Sequence, residues 1–103
     1  MDELLAALRA AAESTRLRLL VLCARGELTV SELAQILGQS QPRVSRHLKL
    51  LCDAGLLDRF REGSWVFYRL SSGTAASALV RPLVTACGDA DPTIALDLQR
   101  LAS

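Results

Sequence analysis

The sequence is poor in the groups that most chemistry needs. In 103 residues it has one histidine (His47), three cysteines, four aromatic residues and one methionine. A single imidazole, without a Cys–His or Ser–His–Asp arrangement and without a glycine-rich phosphate loop, offers no catalytic constellation. The chain therefore reads as a non-enzyme. Three cysteines, an odd number at wide spacing, cannot make a disulfide framework. No apolar run approaches the roughly 18 residues of a membrane span, because Arg16, Arg18 and Arg25 interrupt the longest stretch. The opening residues, MDELLAALRA, have no secretory pattern, so a cytoplasmic location is expected. A large net charge is missing as well: 12 basic and 11 acidic residues leave +1. Half of the residues are apolar, which excludes a disordered chain and supplies a modest core for one domain.

The charge is unevenly placed. Residues 39–69 carry Arg43, Arg46, Lys49, Arg59, Arg61 and Arg69 against Asp53, Asp58 and Glu62, a local excess of +3, and the remainder is −2. What that concentration means depends on the elements that hold it.

Leu4, Leu5 and Leu8 recur at helical spacing, so a first helix is expected over 2–12. Ser14 is the expected cap of a second, mostly buried helix over 15–25 that Gly26 ends. Ser31 is the expected cap of a short helix, ELAQIL, stopped by Gly38. Ser40 caps the next, with Pro42 in its first turn; it runs to about Ala54, where Gly55 supplies a left-handed stop. The period then changes to two. Val66, Tyr68 and Leu70 alternate with Trp65, Phe67 and Arg69, and Gly63 marks the turn of a β-hairpin over about 57–70 that holds all four aromatics. A helix over 75–87, which Pro82 should kink or delay in its regular start, and a last helix opened by Asp91-Pro92 complete the chain, with a break between them from Gly88 to Asp91. The expected fold is mainly α with one β-hairpin.

The third and fourth helices, joined through Gly38-Gln39-Ser40, make a helix-turn-helix. Val44, Leu48 and Leu51 form the inner stripe of the fourth helix, and Gln41, Arg43, Arg46 and Lys49 its outer side. Such residues can meet base edges and phosphates in the major groove. Arg59 and Arg61 share one face of the following strand, and Gly63 permits a projecting tip beside them. Helix, turn, helix and basic hairpin in that order describe a winged helix-turn-helix, and the charge excess lies on that unit. Double-stranded DNA is the expected partner; a protein-docking module is the alternative from another class. The first and last helices are more apolar than a monomer of this size needs, which points to a homodimer through the terminal helices.

The stretches TRLRLLVL (15–22) and GELTVSELAQILGQSQPRVSRHLKLLCDAGLLDRFREGSWVFYRL (26–70) resemble the ArsR-type winged helix-turn-helix regulators. Ser45-Arg46-His47-Leu48 followed by Ala54-Gly55-Leu56 is the most specific part of the likeness, which covers about residues 4–87. It implies a homodimeric repressor bound to an inverted-repeat operator and released by an effector. It also implies DNA contacts from Gln39, Ser40, Gln41, Arg43, Ser45, Arg46, His47 and Lys49 on the turn and helix, and from Arg59, Arg61 and Gly63 on the wing. LGQSQPRVSRHLKLL is similar to a subset fused to a C-terminal methyltransferase. The chain is thus expected to be a single domain, stand-alone or the N-terminal part of such a protein.

The resemblance bears on the effector as well. Thr29 and Ser31 stand where the family's metalloid sensors carry paired thiolates, and residues 75–87 contain no acid or histidine for its other metal site. No metal and no cofactor are expected. Free cysteines are often small core hydrophobes, and Cys52 on the fourth helix is expected to be one. Cys23 and Cys87, however, resemble the placement in a branch that senses persulfides and redox state, which makes a Cys23/Cys87 thiol switch the leading expectation. Its alternatives are S-adenosylhomocysteine or a related metabolite, and arsenite held by Cys23, Cys52 and Cys87.

Overall fold

The computed structural model describes residues 1–88 and 90–103; Asp89, within the expected break before the last helix, lies outside them. The elements follow the order α1 (Asp2–Ala11), α2 (Ser14–Arg25), α3 (Val30–Leu37), α4 (Gln41–Asp53), β1 (Leu57–Glu62), β2 (Trp65–Leu70), α5 (Ser77–Cys87) and α6 (Pro92–Ala102). The expected class, mainly α with one hairpin, is the one observed. Among the described residues no helix is long and apolar enough to cross a membrane.

Helix α2 is the central element. Leu19, Leu20 and Leu22 are wholly buried, and α1, α4, α5, α6 and β2 all pack on it. Its cap is Glu13, not Ser14: the Glu13 carboxylate accepts the Arg16 N–H at 2.8 Å and Ser14 is already the first helical residue. An ionised acceptor at the positive end of a helix is favoured by the helix dipole. The cap of α3 is likewise Thr29, not Ser31. Thr29 and Glu32 form a reciprocal box, the Thr29 hydroxyl accepting the Glu32 N–H at 3.2 Å and the Glu32 carboxylate accepting the Thr29 N–H at 2.9 Å. That arrangement satisfies two free backbone donors where a lone Ser31 would satisfy one. Helix α5 starts two residues later than the expected 75, where Thr74 and Ser77 exchange hydrogen bonds at its entrance, and the helix continues through Pro82.

The other expectations agree closely. Ser40 caps α4 through the Arg43 N–H, and Val44, Leu48 and Leu51 are wholly buried beneath it. The strands pair antiparallel from Leu57↔Leu70 to Glu62↔Trp65 around a Gly63-Ser64 turn, in which Gly63 has φ +59. Leu28, ahead of α3, exchanges both backbone hydrogen bonds with Tyr68, at 3.1 and 2.8 Å, and so ties the hairpin to the helix-turn-helix.

Gly55 turns the chain from α4 into the hairpin at φ +79, and a Cβ there would stand 3.3 Å from that of Ala76. Gly55→Ala is expected to cost about 1–2 kcal/mol, from left-handed backbone strain and the crowded start of α5. Urea unfolding measures it; an unchanged midpoint would mean that the turn relaxes freely.

Helix α6 folds back over α2 and α3. Its Asp91 cap accepts the Thr93 and Ile94 N–H groups. Asp97, 1% exposed, accepts from Arg18 Nε at 2.7 Å and Nη2 at 2.9 Å, and Arg100 donates to the Ile36 carbonyl at 3.1 Å. The outward side keeps Leu96 exposed. Helix α1 buries only Ala7 and Ala11 and leaves Leu4, Leu5 and Leu8 open to solvent.

Candidate nucleic-acid interface

Helix α4 divides its side chains between two environments. Its buried stripe packs on the core, whereas Gln41, Arg43, Ser45, Arg46 and Lys49 are exposed. Gln41, Ser45 and Lys49 lie in one i, i+4 row, and Arg43 and Arg46 lie one turn apart beside it. Ser40, also exposed, holds the helix start. Arg59 and Arg61 are exposed on β1 and share a face with their partners Tyr68 and Val66. That face turns inward at the hairpin base, where Tyr68 is buried, and runs out to solvent toward Gly63.

The local charge is not equally available. Lys49 bonds Asp53 at 2.9 Å on the surface, and Arg69 lies 3.5 Å from Glu27 with its guanidinium 4.3 Å above the Phe60 ring. Among the described residues Arg43, Arg46, Arg59 and Arg61 have no carboxylate partner. Four uncompensated guanidinium groups on α4 and the wing are the electrostatic core of the surface, and such groups suit phosphates and guanine edges.

Two residues grouped with this surface in the sequence face elsewhere. Gln39 donates to the Thr15 hydroxyl at 3.2 Å, and its carboxamide oxygen is buried without a partner. His47 has a side chain only 16% exposed and accepts from Arg16 Nη1 at 3.2 Å. Both thus lie against the first turn of α2. Their partners are 24 and 31 residues away in sequence, so no local pattern could have singled out Thr15 or Arg16. Trp65, 64% exposed at the wing tip, was also passed over; a large aromatic beside Gly63-Ser64 is its one sequence signal.

The three thiols occupy different settings. Burial, reinforced by nearby Cys52, pushes the Cys23 thiol up to about 12. Burial, helped by Asp53 and Asp58, pushes Cys52 up to about 11. Cys87 is half-buried and borders a cleft of about 340 Å³ with Ser14, Leu17, Arg18 and Ile94. Helix α5 therefore follows its cap residue Ala76, which stands against Gly55, and ends with Cys87 against the start of α2. Cys23, near the far end of α2, stands toward the opposite end of that helix pair. Among the described residues no three His, Cys, Asp or Glu side chains converge to hold a metal ion.

The thiolate is the reactive form of cysteine, so alkylation at pH 8 is expected to modify Cys87 first and Cys23 only on unfolding. Intact mass spectrometry reads the order, and early labelling of Cys23 would contradict its burial. The unfolding free energy should also fall as pH rises from about 9 toward 12. The unfolded-chain thiol ionises near 9, whereas the buried Cys23 keeps its proton to about 12. Cys23→Ala should flatten that decline.

Known proteins place this geometry. The family model described as "Bacterial regulatory protein, arsR family" matches residues 13–59. The arsenic resistance transcriptional regulator ArsR1 of Pseudomonas putida is 53% identical over 57% of this chain and 47% of its own length. The chain spans about half the length of the curated relatives that it matches first. Among solved structures, the transcriptional repressor BigR of Xylella fastidiosa is 32% identical with a TM-score of 0.74, over 87% of this chain and 89% of that one. A homodimeric winged helix-turn-helix DNA-binding domain of Mycobacterium bovis is 28% identical with a TM-score of 0.73, over 87% of this chain and 82% of that one.

Proposed function

Because the chain belongs to the arsR family of bacterial regulatory proteins, we propose that it is a transcriptional repressor that binds an inverted-repeat DNA operator as a homodimer. The observation that carries this reading is the set of four guanidinium groups on α4 and the adjoining wing that have no carboxylate partner among the described residues. Base-edge contacts come from the exposed residues of α4, and backbone contacts from Ser40, Arg59, Arg61 and the Gly63 tip. The dimer is supported by the exposed Leu4, Leu5 and Leu8 of α1 and Leu96 of α6, which a second copy would cover. Two recognition helices related by a two-fold axis would then meet half-sites about 34–36 Å apart.

Release is proposed to follow thiol chemistry at Cys87 and Cys23. A disulfide between them removes two protons and two electrons, taken up by an oxidant or a persulfide. It also needs Cα atoms within about 7 Å. With the thiols toward opposite ends of the α2–α5 pair, closure requires α5 to shift along α2, and that shift would disturb the packing beneath α4.

The test combines sedimentation with DNA binding. Wild-type protein should sediment as a dimer and select a palindromic duplex from a random pool. Leu8→Glu should yield a monomer that loses the selected duplex. A persulfide donor should release wild type but not Cys87→Ser. A wild type that selects no duplex would remove the repressor reading, and equal release of both proteins would remove the thiol trigger alone.

A further inference from the structure

Arg16 joins three helices at one point. Its Nε donates to the carbonyl of Ala10 near the end of α1, and its Nη1 donates to His47 Nδ1 on α4 at 3.2 Å. Glu13, the cap of α2, accepts the Arg16 N–H at 2.8 Å and places its carboxylate 4.0 Å from the same His47 nitrogen. A guanidinium can only donate, so His47 Nδ1 must offer its lone pair and the ring proton sits on Nε2. The hydrogen bond therefore specifies one tautomer of a side chain that is 16% exposed and sits between the exposed Arg43 and Arg46 and the buried Leu51.

We propose that His47 is a positioning residue for DNA recognition: its Nδ1, held by Arg16, fixes the roll of α4 about its own axis and hence the aim of Arg43 and Arg46. This rests on the DNA-binding reading and departs from a role for His47 as a DNA contact. A helix anchored only by its apolar stripe of Val44, Leu48 and Leu51 can rock on smooth side chains. A directional bond to the α1–α2 corner removes that freedom. Gln39, bonded to Thr15 of the same α2 turn, secures the other end of the reading unit. Helix α1, which leads into this corner, also carries the exposed leucines proposed to face a second copy. The corner thus connects the pairing surface to the orientation of the reading helix.

The experiment uses the whole chain, the duplex it selects best from a random pool and an unselected duplex of equal length. His47→Leu should weaken selected-duplex binding by about tenfold, with unselected-duplex affinity held within about threefold. His47→Asn, whose amide oxygen can take the place of Nδ1, should restore affinity to within about threefold of wild type. Arg16→Met should reproduce the loss, and the double variant Arg16→Met, His47→Leu should lose no more than either single one. If His47→Leu does not fold, Arg16→Met and His47→Asn still decide the matter, with melting temperature recorded for each. The proposal fails if His47→Leu binds like wild type or if the two single losses add. It also fails if His47→Asn is as poor as His47→Leu while Arg16→Met is normal, the pattern of a direct DNA contact. A wild type that selects no duplex would overturn the DNA-binding reading together with this one.

Discussion

Replacing Arg43 and Arg46 together by alanine is expected to weaken binding to the selected duplex by about 30-fold or more. Each side chain that meets a base edge contributes about 1–3 kcal/mol, and every 1.4 kcal/mol is about tenfold in affinity. Both residues are exposed on α4 and neither has a carboxylate partner among the described residues, so neither must break an ion pair to engage DNA. Lys49→Ala is the internal contrast. Its ammonium is already bonded to Asp53 at 2.9 Å, and its loss should be the smaller. Titrations at several salt concentrations separate the roles. A residue that touches only phosphate lowers the logarithmic salt slope by about 1 and affects all duplexes alike, whereas a base-reading residue changes the preference among them. Unchanged binding in the double variant would remove α4 as the reading helix.

Arg18→Met is expected to cost about 3–5 kcal/mol of folding stability, because it strands a buried carboxylate. Asp97 is 1% exposed and receives both of its bonds from Arg18. Hydrogen bonding to Asp97 raises the proton affinity of Arg18, and burial opposes that. For a domain of this size, whose total stability is about 5–15 kcal/mol, such a loss lowers the melting temperature by about 15 °C or more. The reverse truncation, Asp97→Ala, should be milder, since Arg18 lies nearer the surface and can rehydrate. Replacing both by apolar residues of similar volume should recover most of the loss, as buried ion pairs seldom outperform well-packed hydrophobic substitutes. Thermal unfolding followed by circular dichroism measures all three. An Arg18→Met chain as stable as wild type would show that α6 is not held by this pair.

Most of the fold was legible because its signals are local. The stripe Val44, Leu48 and Leu51, the Ser40 cap and the two-residue alternation after Gly55 each act within a few positions. The misplaced caps at Ser14 and Ser31 were local failures of a different kind. In both places a neighbouring residue makes a better acceptor, Glu13 by its charge and Thr29 by its reciprocal bond with Glu32. The candidate site was less legible. Exposure of Arg43, Arg46 and Lys49 followed from the helical period, but the inward turn of Gln39 and His47 depends on α2, packed against α4 only in three dimensions. The local charge excess also overstates the free positive charge, since Arg69 pairs with Glu27, which lies outside residues 39–69.

The bonds between Leu28 and Tyr68 make the wing a cantilever. Tyr68 is the clamp, and Trp65 stands three residues beyond it, so about 10 Å of ribbon overhangs. The two wing arginines therefore differ in compliance. Arg59, opposite Tyr68, is seated at the fixed support, and Arg61, opposite Val66, rides on the free span. A tilt of about 10° about the clamp leaves Arg59 almost in place and carries the tip through about 2 Å. If the wing meets DNA as proposed, Arg59 sets the register on a duplex while Arg61 follows variations in groove width, so that one short hairpin offers a rigid contact and an adaptable one.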